Sequence, residues 1–199
     1  MSEPTHHHFL LRTERLIVRP FEPSDLDAIT AVLDEGFGAA PREARQRWLA
    51  WQIASYTELA RLWQPPYGDR AVTLHDGRLI GAVGFVPCWG PFEKLPSFRD
   101  RLNGAPSAHF FPEFGLFWVI DAAHRGQGCA AEAAQAMIRY AFVELGVGRV
   151  VATTDHENMA SQAVMRRLGM SVERNPDPDP EWFQVVGVLA RPQGALARP

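Results

Sequence analysis

The chain has 199 residues, 46% of them hydrophobic and 22% charged, with 20 basic and 23 acidic side chains for a formal charge of −3; this is the make-up of a folded domain, long enough to bury roughly 70% of its unfolded surface without a disulfide or metal staple. The acidic balance speaks against a nucleic-acid backbone or an anionic membrane as main partner, and no apolar run approaches the ~18 residues of a membrane span. Two cysteines, Cys88 and Cys129, form neither a disulfide framework nor a thiol-zinc pattern, and with no export signal at the N-terminus the expectation is a cytoplasmic protein.

Residues 1–13 carry Pro4 and the triplet His6-His7-His8 and show no period of 2 or 3.6, so they read as a flexible end whose histidines are solvated rather than metal-bound. Leu16-Ile17-Val18 is a short β-rich run stopped by Pro20, a first strand. Ser24, followed by Asp25 and Asp27, is expected to cap a helix carrying Leu26, Ile29, Val32 and Leu33 on one face. Residues 36–40 break it, and Pro41 opens a second helix whose stripe Trp48, Leu49, Ile53, Tyr56, Ala60 and Trp63 faces the core and ends at Pro65-Pro66. Strands 70–74 and 79–86 follow, joined by the hairpin signal Asp76-Gly77. Residues 87–112 are rich in proline and aromatics without period and read as a long functional loop insertion.

The second half alternates: strand 113–120, a loop to Gly128, a helix to Gly146, strand 149–154, a helix from Asn158 to Leu168, and strands near 171–174 and 182–190, with a flexible tail at 191–199. The pattern predicts a mixed α/β (α+β) sheet with helices on both faces, forming a single domain over 14–190.

The chemistry-bearing segment is Asp121-Ala122-Ala123-His124-Arg125-Gly126-Gln127-Gly128-Cys129-Ala130-Ala131-Glu132. A strand-to-helix turn with two glycines leaves backbone N–H groups exposed at the positive end of a helix dipole, which suits a phosphate or diphosphate; Arg125 adds a charged donor. The turn lacks the lysine of a Walker loop and the full GxGxxG of a dinucleotide fold, and a plain tight loop is the competing reading. Cys129, at the helix start, is expected to have a reactive thiol.

Arg125-Gly126-Gln127-Gly128-Cys129-Ala130 resembles the (Q/R)xxGx(G/A) acetyl-CoA loop of the GNAT N-acetyltransferase superfamily. Leu11 to Pro20 resembles the opening of its Rim-type branch, and Asn158-Met159-Ala160-Ser161 with Leu168-Gly169-Met170 resembles that branch's NxxS and LG(F/M) pattern. The match covers most of residues 11–190, with 36–66 and 87–112 matched only in position. The resemblance implies a mostly antiparallel twisted sheet splayed between its fourth and fifth strands, 113–120 and 149–154. It also implies acetyl-CoA as co-substrate, held by the loop residues Arg125, Gly126, Gln127, Gly128, Cys129 and Ala130, by the backbone of Val119 and Ile120, and by Asn158 and Ser161. The implied reaction is acetyl transfer to a primary amine, a protein or peptide α-amine or a small amine, with no metal. A homodimer is compatible with it.

Glu113 is the leading candidate base, since it begins the central strand beside aromatic residues; a rim acid paired with an arginine is the alternative role. His109 and His124 are further candidates. The tyrosine that many members place three or four residues after the Ser161 position is replaced by Val164 and Met165, so Ser161 is the nearest group to the leaving sulfur. Asn158 also reads as a helix cap and Ser161 as a surface hydroxyl, and Arg166 and Arg167 as surface charges or phosphate ligands. An aminoglycoside-type acetyltransferase is a second reading, disfavoured by the few acids in 87–112, Glu93 and Asp100; a non-catalytic acyl-CoA-binding protein is a third.

Overall fold

The computed structural model describes residues 9–99 and 109–192, so the His6–His8 triplet lies outside the described residues. The chain forms two compact units, residues 1–86 with 117–137 and residues 87–116 with 138–199. The fold is mixed α/β: the described residues form eight strands, mostly antiparallel with one parallel pair, and helices pack against them.

In the first unit, β1 (Leu11–Arg12), β2 (Leu16–Arg19), β3 (Gly68–Leu74) and the start of β4 (Leu79–Gly90) lie in that order. The pairs Leu11↔Val18, Val18↔Val72 and Ala71↔Ala82 set the register. The first strand is an addition to the expected set and pairs Leu11 and Arg12 with β2. Thr13 closes the β1–β2 turn, its hydroxyl accepting from the Leu16 amide at 2.9 Å, and Phe9 is buried.

Helices α1 (Leu26–Phe37) and α2 (Arg42–Arg61) cover this sheet. Phe21, Ile29, Val32, Leu33 and Leu49 pack with Ala71, Ala82 and Val119 into one apolar cluster. Ser24 does not cap α1; it lies within a short 3-10 turn, Pro23–Asp25. The Asp25 carboxylate closes that turn by accepting from the Glu22 amide at 2.8 Å and from the Arg19 guanidinium at 2.7 and 2.8 Å. Gly36 stays inside α1, and the chain leaves the helix at Gly38, whose φ is +90°. The expected core face of α2 holds for Leu49, Tyr56 and Ala60, whereas Trp63 is 71% exposed, because α2 ends at Arg61 and the chain then turns through a positive φ at Trp63.

In the second unit, β4 runs on to Gly90, followed by a 3-10 turn (Phe92–Lys94) and the short α3 (Pro96–Arg99). Much of the expected 87–112 loop is therefore regular; residues 100–108 lie outside the described part. Aromatic burial orders the rest: Phe92 packs against Phe98, Phe111 and Phe183 at centroid distances of 5.1, 5.6 and 5.1 Å, contacts that add to area burial. The strands β5 (Phe111–Ile120), β6 (Arg149–Thr154), β8 (Val185–Ala190) and β7 (Ser171–Arg174) follow in that spatial order. The last strand begins at Val185 rather than 182, since Phe183 is held in a turn by the Pro180 carbonyl. β6 and β8 pair along six residues, but β5 and β6 meet in parallel at one position only, Gly115↔Val151. That single bridge is the splay expected between strands 113–120 and 149–154.

Helix α4 (Cys129–Val143) follows β5, and α5 (Met159–Arg167) follows β6. Among the described residues no helix is long and apolar enough to cross a membrane.

Candidate functional site

β5 ends at Ile120, a one-turn 3-10 helix spans Ala122–His124, and Gly126 and Gly128 then carry the chain at φ +72° and +83° into α4. Both values lie in the left-handed region where a Cβ is strained, so the turn needs glycine at both positions. The Gly128 carbonyl accepts the first helical bond, from the Glu132 amide at 3.0 Å. The N–H groups of Cys129, Ala130 and Ala131 therefore have no partner within the helix and point out of its positive end. This is the backbone arrangement of an anion cradle.

The loop is braced by its own side chains. Asp121 accepts both the His124 amide, at 3.0 Å, and His124 Nδ1, at 2.6 Å. Gln127 Nε2 donates to the Ala123 carbonyl at 2.7 Å. Arg125 stays exposed but folds back on the loop: its Nε donates to the Ile120 carbonyl at 2.8 Å, and its guanidinium lies 3.7 Å from Glu35, which also accepts the Ala122 amide at 2.9 Å. A second brace comes from the β1–β2 turn. Glu132 Oε1 accepts from Thr13 Oγ1 at 2.6 Å and from the Arg15 amide at 2.9 Å; Glu132 Oε2 accepts from Arg15 Nε at 2.7 Å. Arg15 also donates to the Gln127 carbonyl at 2.9 Å. Burial alone would raise the Glu132 carboxyl, but these hydrogen bonds and the Arg15 charge outweigh it and hold the group below its ordinary range.

Val119 and Ile120 differ in what they offer. The Val119 carbonyl faces Gly81 of β4, where an added Cβ would strike it, and the next amide on that side, Asp121 N–H, donates to the Ile80 carbonyl at 2.9 Å. Alternation along the strand puts the Ile120 N–H and C=O on the other edge of β5. Val119 instead gives its side chain to the apolar cluster.

In the second unit, Glu113 is held by Arg149. Arg149 Nε donates to Glu113 Oε2 at 3.0 Å and its terminal nitrogen donates to Oε1, while the guanidinium sits 3.9 Å from the Phe98 ring centroid. Asn158 Oδ1 accepts from the Ser161 amide at 3.0 Å, so Asn158 caps α5. With Asp155, His156, Glu157 and Gln184 it lines an open depression at the end of β6. Ser161 is half-buried, Arg166 donates to Gln162 at 3.3 Å, and His109 and Arg167 are exposed. Cys129 is buried, whereas a reactive thiol needs access; Cys88 is buried too, which pushes its thiol up to about 11. Arg15, Thr13, Glu132 and Arg149 are the participants missed at the level of sequence. An acid in the first turn of an otherwise Ala-rich helix start was the available signal for Glu132.

The model of the acetyltransferase (GNAT) domain matches residues 15–171, and the chain belongs to that family. The uncharacterized N-acetyltransferase YnaD of Bacillus subtilis is 38% identical over 87 residues, which are 41% of this chain and 51% of that protein. The match thus spans about half the length of that curated relative. An acetyltransferase structure from Agrobacterium tumefaciens superposes with a TM-score of 0.66 at 24% identity, covering 92% of this chain and 94% of that one. A ribosomal-protein α-N-acetyltransferase solved with coenzyme A superposes with a TM-score of 0.62 at 16% identity, covering 92% and 97%. At these identities the structural likeness establishes the fold.

Proposed function

We propose that the chain is an acetyl-CoA-dependent N-acetyltransferase of the Rim-type branch, acting on a primary amine: a protein or peptide N-terminal α-amine, or a small amine. The observation that carries the reading is the β5–α4 turn, whose two left-handed glycines aim unpaired helix N–H groups outward as a diphosphate requires. The relative solved with coenzyme A supports the choice of diphosphate.

In this reading Gly126, Gly128, Cys129 and Ala130 supply backbone donors, and Arg125 and Gln127 hold the turn in shape. The Ile120 N–H, on the edge of β5 away from β4, is the donor that polarises the thioester carbonyl. Asn158 and Ser161 are candidate contacts for the pantetheine arm and the sulfur. Acetyl transfer needs the amine in its neutral form. An α-amine, with an ordinary pKa near 8, reaches that form far more readily than a lysine near 10.4. Glu113 takes the amine proton if Arg149 releases one carboxylate oxygen; His124, whose Nδ1 is engaged by Asp121, offers Nε2 as the alternative acceptor.

A non-catalytic acyl-CoA-binding protein is the second reading, favoured by the two-point hold of Arg149 on Glu113. Incubation with acetyl-CoA and a library of peptides and small amines, read by mass spectrometry and thiol release, decides between them. Acetylated product with stoichiometric thiol supports the enzyme; tight CoA binding with no thiol release supports the second reading.

A further inference from the structure

We infer that Arg15, held in place by the Glu132 carboxylate and Thr13, is a positioning residue that fixes the direction of the Gly128 amide, so that the donor's diphosphate is gripped through it. The inference rests on the reading that the 125–130 turn binds acetyl-CoA. In a planar trans peptide the carbonyl of one residue and the N–H of the next point in opposite directions. Arg15 holds the Gln127 carbonyl at 2.9 Å, which aims the Gly128 N–H away from Arg15. The next plane is set by the helix itself: the Gly128 carbonyl accepts the Glu132 main-chain amide at 3.0 Å, which aims the Cys129 N–H outward without help from the Glu132 side chain. Two successive peptide planes are thereby pinned.

The pin on the Gln127 carbonyl is needed because the loop's own braces end at Ile120, Ala123 and His124 and leave the Gln127–Gly128 peptide unheld. Gly126 and Gly128 flank Gln127, and without a Cβ a glycine's torsions are weakly restricted, so the intervening peptide planes can rotate. The pin is itself over-determined. The Glu132 carboxylate accepts from Thr13 Oγ1, from the Arg15 amide and from the Arg15 guanidinium, which approaches Oε2 at 2.7 Å through Nε and 2.5 Å through a terminal nitrogen. These partners lie 117 and 119 residues away along the chain. Arg15 also cancels a charge that would otherwise repel a diphosphate from the first turn of α4. A lysine would restore that charge but not the fork that reaches a carboxylate and a carbonyl together.

The test uses the whole chain with Arg15→Met, Arg15→Lys, Thr13→Val and Gly128→Val. CoA is the calorimetric probe, and acetyl-CoA and S-acetylpantetheine, which lacks the diphosphate, are the two donors. Arg15→Met and Arg15→Lys are expected to weaken CoA binding and raise the acetyl-CoA KM by roughly 10- to 100-fold, with kcat at saturation retained. Turnover of S-acetylpantetheine stays unchanged. Thr13→Val, which keeps Arg15 and removes one donor, gives a smaller loss in the same direction and serves if Arg15→Met does not fold. Wild-type affinity in Arg15→Lys overturns the inference in favour of charge alone. An equal loss with both donors overturns it in favour of general structural damage. Unchanged affinity in Arg15→Met with loss in Gly128→Val overturns the positioning role and leaves the loop assignment standing; unchanged affinity in both overturns the loop assignment as well.

Discussion

Arg149 grips Glu113 through both carboxylate oxygens while its guanidinium lies over the Phe98 ring, 3.9 Å from the centroid, so the partner of the candidate base makes an ion pair and a cation–π contact at once. Only 11% of the Glu113 side chain and 16% of the Arg149 side chain are exposed. A fork of this kind leaves the carboxylate few lone pairs to offer an incoming proton.

Glu113→Gln separates the chemical role from the structural one. If Glu113 takes the amine proton, kcat near neutral pH falls by ~100-fold or more while CoA affinity is kept, and activity partly returns at alkaline pH as the amine loses its own proton. His109→Ala and His124→Ala then have milder effects. Arg149→Met leaves a poorly solvated carboxylate without its partner and is expected to cost about 3 kcal/mol, read as a lowered denaturant midpoint. If Glu113→Gln and Arg149→Met both lower the midpoint while kcat is retained in Glu113→Gln, the pair is structural. The amine then arrives neutral, and the protein contributes positioning and carbonyl polarisation.

Asp69 gives a pH dependence of stability. It lies in the buried part of β3 beside Arg70, but the Arg70 guanidinium is directed at the Gly68 carbonyl and the Tyr56 ring, so burial and the Arg70 charge are what act on the Asp69 carboxylate. Burial raises its carboxyl from 3.8 to about 6, with the Arg70 charge opposing. The sign follows from linkage: a carboxyl that holds its proton more tightly when folded favours the fold most where it is protonated. Its contribution therefore falls as pH rises from about 3.8 to about 6 and stays low above that, a difference of about 3 kcal/mol. Asp69→Asn should remove this slope. Urea midpoints measured from pH 4 to 8 are expected to decline for wild type relative to Asp69→Asn across that window; parallel curves would mean that Asp69 reaches water.

The thiols supply a simpler check. With Cys129 and Cys88 both buried and the Cys88 thiol raised by burial, maleimide should label neither at a useful rate in the native protein, and both in denaturant. Rapid labelling of Cys129 in the native state, slowed by CoA, would restore the expectation drawn from its place at a helix start.

What could be read from the chain and what could not divide along contact distance. The Asp76-Gly77 hairpin, strand 171–174 and the Asn158 cap of α5 are each decided within a few residues, where turn chemistry and periodicity carry the information. The glycine turn before α4 is local too. The Arg15–Glu132 brace joins residues 117 apart and the Arg149–Glu113 pair joins residues 36 apart; nothing in their immediate neighbours distinguishes them from surface charges. Ser24 and Cys129 misled for the same reason, since a good local role was overridden by the Asp25–Arg19 fork in one case and by burial in the other. The aromatic stretch after β4 had no period to read, because its order comes from clustering around Phe92 and Phe183 rather than from a repeating face.

Asn158 carries the last prediction, because its two amide atoms have separable duties. Its Oδ1 caps α5 by accepting the Ser161 N–H at 3.0 Å, whereas its Nδ2 is the atom a pantetheine amide would engage. Asn158→Ala removes both and is expected to lower stability by about 1 kcal/mol through the lost cap. Asn158→Asp keeps an acceptor in the same place and puts a negative charge at the positive end of α5, so the fold should be retained or slightly strengthened. The donor N–H is lost, however, and a carboxylate facing a carbonyl is repulsive. If Asn158 binds the pantetheine arm, Asn158→Asp therefore raises the KM for both acetyl-CoA and S-acetylpantetheine without lowering the melting temperature. That pattern differs from the Arg15 variants, which spare the shorter donor. Wild-type kinetics with both donors in Asn158→Asp, together with the stability loss in Asn158→Ala, would make Asn158 a helix cap and nothing more.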